Sequence, residues 1–124
     1  MPVRARTVLV VEDDRSIRYL FTEVLRHAGY EVIACEDGTL GLAMARSNPI
    51  DAVITDSSMP GLDCREMIAA IRALRPGIPV LMVSGSADHG ASWMSGDPGI
   101  LFLSKPISPE RLKAELERLL AREV

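Results

Sequence analysis

Five short apolar runs punctuate the chain, and most are continuous rather than alternating: TVLVV (7–11), EVIAC (31–35), DAVIT (51–55), PVLMVS (79–84) and ILFLS (100–104). A strand with one wet face alternates apolar and polar residues. A strand covered on both faces is apolar throughout. These runs therefore predict a parallel sheet with helices packed on either side, because parallel neighbours need a crossover connection long enough to hold a helix.

Helical patterns fill the intervals. Ile17, Leu20, Phe21, Val24, Leu25 and Ala28 recur at steps of three and four, and Gly29 ends that helix. The stretch GTLGLAMARSN predicts a short second helix with Leu40, Ala43 and Met44 on one face. A third is predicted over residues 63–74, with Met67, Ile71 and Leu74 inward and Pro76 and Gly77 beyond its end. The last begins at SPER. Ser108 is placed to cap it, Pro109 suits the first helical position, and Leu112, Leu116, Leu119 and Leu120 form its apolar stripe. The fourth interval, GSADHGASWMSGDPG, carries four glycines and a proline, so its helix is expected to be short or irregular, near residues 88–94. The expected fold is α/β: a flavodoxin-like, doubly wound (βα)5 sandwich whose five-stranded parallel sheet runs in the order 2-1-3-4-5.

A chain of 124 residues fits a single domain, 1–124, with its core at about 7–120. At 48% apolar and 25% charged residues it has the balance of a globular protein and needs no structural metal to hold a core. The formal net charge of −3 argues against nucleic-acid binding. Cys35 and Cys64 lie in no CxxC or Cys/His cluster, which argues against zinc and suits reduced thiols in a cytoplasmic protein. No apolar run is long enough to span a membrane, and the N-terminus lacks the apolar segment of a signal peptide.

In open parallel sheets, ligands bind beyond the carboxyl ends of the strands, where the strand order reverses. Glu12, Asp13 and Asp14 follow the first strand; Asp56, Ser57 and Ser58 the third; Ser84, Gly85 and Ser86 the fourth; Lys105 and Pro106 the fifth. In the expected strand order, the first and third strands are neighbours, so the acids after Val11 approach Asp56. Two carboxylates about 4 Å apart repel by about 4 kcal/mol at an effective dielectric near 20. Either one acid takes up a proton or a cation binds. Carboxylates with carbonyls and water suit a hard ion, and Mg²⁺ (or Mn²⁺) is the usual choice beside phosphate. Lys105 and Ser84 complete a receptacle for a phosphoryl group. No glycine-rich phosphate loop precedes a helix, and neither His27 nor His89 stands at this edge as a general base. The remaining nucleophile is a carboxylate, and Asp56 is central among the partners.

The motifs VLVVEDD, DAVITDSSMPGLD, VLMVSG and FLSKPISPERL, in this order and spacing, resemble the receiver domain of two-component response regulators over about residues 7–120. The resemblance implies that Asp56 is the phosphoacceptor. It makes Asp13 a direct metal ligand, Glu12 a ligand through water, and the backbone carbonyl of Ser58 a further ligand. Asp14 falls past the acidic pair and reads as a helix-start acid. Ser84 matches the hydroxyl that contacts the phosphoryl group and Lys105 its paired lysine. The Lys105–Pro106 bond is a cis candidate. Met59, Pro60 and Gly61 resemble the turn after the acceptor. Phe102 falls where the family carries its rotating switch aromatic.

The phosphoryl donor implied is a phosphohistidine on a histidine kinase or histidine phosphotransfer protein. The implied outcome is a shift between two conformations that controls a partner or attached domain through the face of the fourth helix, fifth strand and last helix. A phosphorylation-dependent dimer fits the family. The output partner is unknown, and no turnover of an external substrate is expected. The sequence departs from the family where Gly85 replaces the usual alanine, which is expected to loosen that loop, and where Phe102 lacks the hydroxyl of a tyrosine. SGSAD with FLSKPISPERL looks most like receivers attached to hybrid sensor kinases. The chain is therefore expected to be a stand-alone receiver or a module of a larger protein.

Two other readings compete. A Mg²⁺-dependent phosphatase with an aspartyl-phosphate intermediate shares the chemistry, but its DxD at the first strand and its cap domain are missing. A receiver-like scaffold that is never phosphorylated has no need of the joint set Glu12, Asp13, Asp56, Ser84 and Lys105. Taken singly, each of these residues is ordinary: a cap, a strand-end hydroxyl, an exposed lysine.

Overall fold

The computed structural model describes residues 5–57, 63–84 and 99–121. Their strands are β1 (Thr7–Val11), β2 (Glu31–Cys35), β3 (Ala52–Asp56), β4 (Val80–Ser84) and β5 (Ile100–Ser104); their helices are α1 (Arg15–His27), α2 (Gly38–Ser47), α3 (Cys64–Leu74) and α4 (Pro109–Ala121). All five strands are parallel and run in the order β2-β1-β3-β4-β5. The expected helix near residues 88–94 and the turn at Met59–Gly61 lie outside the described residues, as do Ser58, Gly85, His89 and Trp93.

The apolar continuity of the strands reflects burial on both faces. Every residue of β1, β3 and β4 is buried, whereas the edge strands β2 and β5 are only partly covered. Side chains alternate between two cores. Leu9, Val11, Val53, Val80 and Met82 face α2 and α3, where Met67, Ile68 and Ile71 meet them. Val8, Val10, Ile54, Leu81 and Val83 face α1 and α4, where Phe21, Leu25, Leu112 and Leu116 meet them.

Short polar side chains start each helix. Asp14 accepts from the Ile17 amide at 3.0 Å, Asp37 from Leu40 at 2.8 Å, Asp63 from Arg65 at 2.7 Å and Ser108 from Arg111 at 3.1 Å. Each such cap stabilises its helix by about 1 kcal/mol. Gly29 ends α1 in the left-handed region, at φ 99°, where the Tyr30 amide closes onto the Leu25 carbonyl at 3.0 Å.

Two helices turn differently from the sequence pattern. In α2, Leu40 is 41% exposed, and the buried residues are Gly38, Gly41 and Ala45. Small residues face the sheet because α2 lies close against β1. A Cβ added at Gly41 would stand 3.0 Å from both Met67 Sδ and Val11 Cγ2. In α3, Leu74 is 48% exposed; the chain turns there, and Ile78 takes the buried place in the same core. Among the described residues, no helix is long and apolar enough to cross a membrane.

Candidate functional site

The register of the central strands sets the site. Val11 pairs with Thr55, so the next residues, Glu12 and Asp56, emerge side by side at the carboxyl edge. Asp56 in turn pairs with Val83, one residue before Ser84. Ser84 pairs with Ser104, and the Lys105 amide extends that ladder by donating to the Ser84 carbonyl at 2.7 Å. Four strand ends thus deliver acids, a hydroxyl and an amine to one place.

The amine bridges the acids. Lys105 Nζ lies 3.0 Å from Asp56 Oδ2 and 3.1 Å from Glu12 Oε1. Glu12 is 1% exposed and Asp56 8%. Asp13 is exposed, and carboxylate oxygens of Glu12, Asp13 and Asp56 lie within 4.8 Å of one another. Asp14 takes no part in that cluster; it caps α1, in keeping with the role of a helix-start acid. Ser84 is buried at the tip of β4, on the strand next to that of Asp56. The Lys105–Pro106 bond is cis. Phe102 is half-buried, in register with Met82, and packs against the core under α2 and α3.

Electrostatics follow from this burial. Loss of water pushes the Glu12 carboxyl up to about 7, and the Asp56 charge adds to the rise, while the Asp14 amide and Lys105 oppose it. Burial would lower the Lys105 ammonium, but the hydrogen bonds it donates to Asp56 and Glu12, with their charges, outweigh it and hold Lys105 above its ordinary value. Fully ionised, three carboxylates against one ammonium leave a site that attracts a divalent cation. An all-oxygen donor set beside water suits Mg²⁺, so the residues present fit that ion. Neither cysteine competes: burial raises the Cys35 thiol and pushes Cys64 up to about 11, so both stay protonated.

Two residues of this region carried no weight in the sequence. Ser57, next to the acceptor candidate, has a buried Oγ without a hydrogen-bond partner among the described residues. Arg18 donates from Nη1 to the Glu12 carbonyl at 2.8 Å. Its signal was present: the first turn of a helix favours acids, yet that of α1 has none and holds Arg15 and Arg18 close to its start.

The family model for the response regulator receiver domain matches residues 8–117. The chain belongs to that family. As a receiver domain it is the phosphoacceptor part of two-component signalling. It is 36% identical over 124 residues to the response regulator MprA of Mycobacterium sp. (strain KMS), covering 98% of this chain and 52% of that protein. The chain therefore spans about half the length of curated relatives such as this one. Among solved structures it is similar to the receiver domain of the hybrid histidine kinase CckA, with TM-score 0.79 and 32% identity over 92% of this chain and 98% of that one. A response regulator receiver protein of Sinorhizobium medicae gives TM-score 0.86 and 29% identity, over 95% and 96% of the two chains.

Proposed function

We propose that Asp56 is the phosphoacceptor of this receiver domain and that its donor is a phosphohistidine on a histidine kinase or histidine phosphotransfer protein. The observation that carries this reading is the Lys105 ammonium, 3.0 Å from Asp56 and 3.1 Å from Glu12, facing the three converging carboxylates. An Asp56 oxygen attacks phosphorus, the P–N bond breaks, and the imidazole leaves with the bonding pair. Lys105 then exchanges its carboxylate partners for a phosphoryl oxygen, and the Ser84 hydroxyl donates to another. Asp13, Asp56 and the Ser58 carbonyl, with Glu12 through water, would hold Mg²⁺ (or Mn²⁺), which when bound supplies positive charge opposite the phosphoryl oxygens.

The donor has a seat beside the acceptor. Ile17, Leu20, Phe21, Pro106 and Ile107 line an apolar cavity of about 410 Å³ that also reaches Lys105. Leu20 is 43% exposed there, which suits a surface covered by a partner only transiently. The phosphorylated state is passed on through Ser84 and Phe102 to the face around β5 and α4, acting on an attached domain or on a second receiver. In this reading the chain is one cytoplasmic signalling domain, 1–124, that turns over no external substrate.

Acetyl phosphate with Mg²⁺ tests the acceptor by intact mass. The wild-type domain is expected to gain one phosphoryl group and Asp56→Asn none. Equal labelling of the variant would place the acceptor elsewhere.

A further inference from the structure

We infer that Arg18 is a positioning residue for the cation site, acting through the main chain of Glu12; this rests on the phosphoacceptor reading above. Glu12 is the hinge between β1 and the acidic turn, and besides its ion pair with Lys105 it is fixed at three points. Its amide donates to the Cys35 carbonyl at 3.0 Å, its Oε2 accepts from the Asp14 amide at 3.0 Å, and its carbonyl accepts from Arg18 Nη1 at 2.8 Å. That carbonyl belongs to the peptide plane joining Glu12 to Asp13. Fixing the plane sets the direction in which the exposed Asp13 leaves the chain, and hence its approach to Glu12 and Asp56.

Arg18 is itself braced. Its amide donates to the Asp14 carbonyl at 2.9 Å, and its carbonyl accepts from Thr22 Oγ1 at 2.8 Å. The side chain thus ties the first turns of α1 back to the end of β1, across the turn that carries the acids. An arginine so near a helix start works against the macrodipole, and the bond to Glu12 is the gain that offsets it. A charge-assisted hydrogen bond to a half-buried carbonyl is among the stronger kinds.

The sign of one measurement separates positioning from charge. By Coulomb's law alone, removing a cation beside the site strengthens Mg²⁺ binding. Removing a brace weakens it, by about tenfold if Arg18 matters as much as other groups that orient metal ligands.

Mg²⁺ is titrated calorimetrically into the wild-type domain, Arg18→Met and Arg18→Lys, and each is labelled with acetyl phosphate. Arg18→Met is expected to bind Mg²⁺ about tenfold more weakly and to regain the wild-type labelling rate at saturating Mg²⁺. Arg18→Lys, which keeps one charged donor, is expected to recover most of the affinity. Equal or tighter binding by Arg18→Met overturns the inference. Should Arg18→Met fail to fold by circular dichroism, Arg18→Gln takes its place under the same expectation. A wild-type domain that binds no Mg²⁺ would sink the phosphoacceptor reading and this inference together, a result distinct from unaffected variants of a domain that binds.

Discussion

Replacing Glu12 by glutamine should make the metal-free domain more stable, increasingly so as pH rises from about 4.5 through about 7. The side chain is 1% exposed, and burial lifts its carboxyl from an ordinary 4.5 to about 7. The folded state therefore holds this proton more tightly than the unfolded chain does. Stability from the protonated acid is fully present below about 4.5 and is lost as pH rises through about 7. Each pH unit between the two values is worth about 1.4 kcal/mol, so the loss by pH 8 is roughly 3 kcal/mol. Glutamine keeps the shape and one acceptor oxygen, enough for either Lys105 or the Asp14 amide, and never ionises, so the donor it leaves unpaired costs the same at every pH. Urea unfolding in EDTA, from pH 5 to pH 8, reads the difference between variant and wild type. It should shift in favour of the variant by roughly 2–3 kcal/mol between pH 5 and pH 8, most of it below pH 7. Added Mg²⁺ at pH 8 should raise the wild type and narrow the gap, because a cation relieves the same repulsion. A difference that stays flat across this range would refute the claim that Glu12 ionises at the expense of the fold.

Lys105→Ala should leave the acids in place and bind Mg²⁺ at least as tightly, because a competing positive charge is removed, while altering the phosphorylated state. Identical spectra of phosphorylated wild type and variant would remove Lys105 from the mechanism. Gly41→Ala should destabilise the domain by about 1 kcal/mol in thermal melts. The gain in helix propensity is about 1 kcal/mol, and crowding Met67 and Val11 at 3.0 Å costs more, in the range of about 1–3 kcal/mol. An unchanged or raised melting temperature would mean that the interface yields.

The strands were legible because β-branched, uninterrupted runs suit only a doubly covered sheet; β1, β2 and β5 keep the predicted bounds, and β3 and β4 shift by a single residue. Asp51 read as strand but stands just before β3, where its Oδ2 accepts the Thr7 amide at 2.7 Å. The inner face of α2 was not legible, because a glycine that permits close approach carries no hydrophobic signal. Leu40 looked like the better core residue and lies outside. Convergence of Glu12, Asp13 and Asp56 followed from strand order alone, since residues at adjacent strand ends must meet. That Lys105 would bridge two acids required the register of β5. The bond from Arg18 to Glu12 depends on the path of the backbone through a turn, and a surface arginine on a helix is otherwise unremarked.

The tight seat of α2 has a mechanical corollary. Gly41 lets the helix rest on Val11, the residue that carries Glu12, with no slack for either to slide. One jaw of the receptacle is thereby clamped to the body of the domain. The opposite jaw hangs from β5, a half-covered outer strand, and grips through a single long amine. On the phosphoacceptor reading, a group that engages both would be expected to draw the yielding from the β5 side, which would give the response a direction.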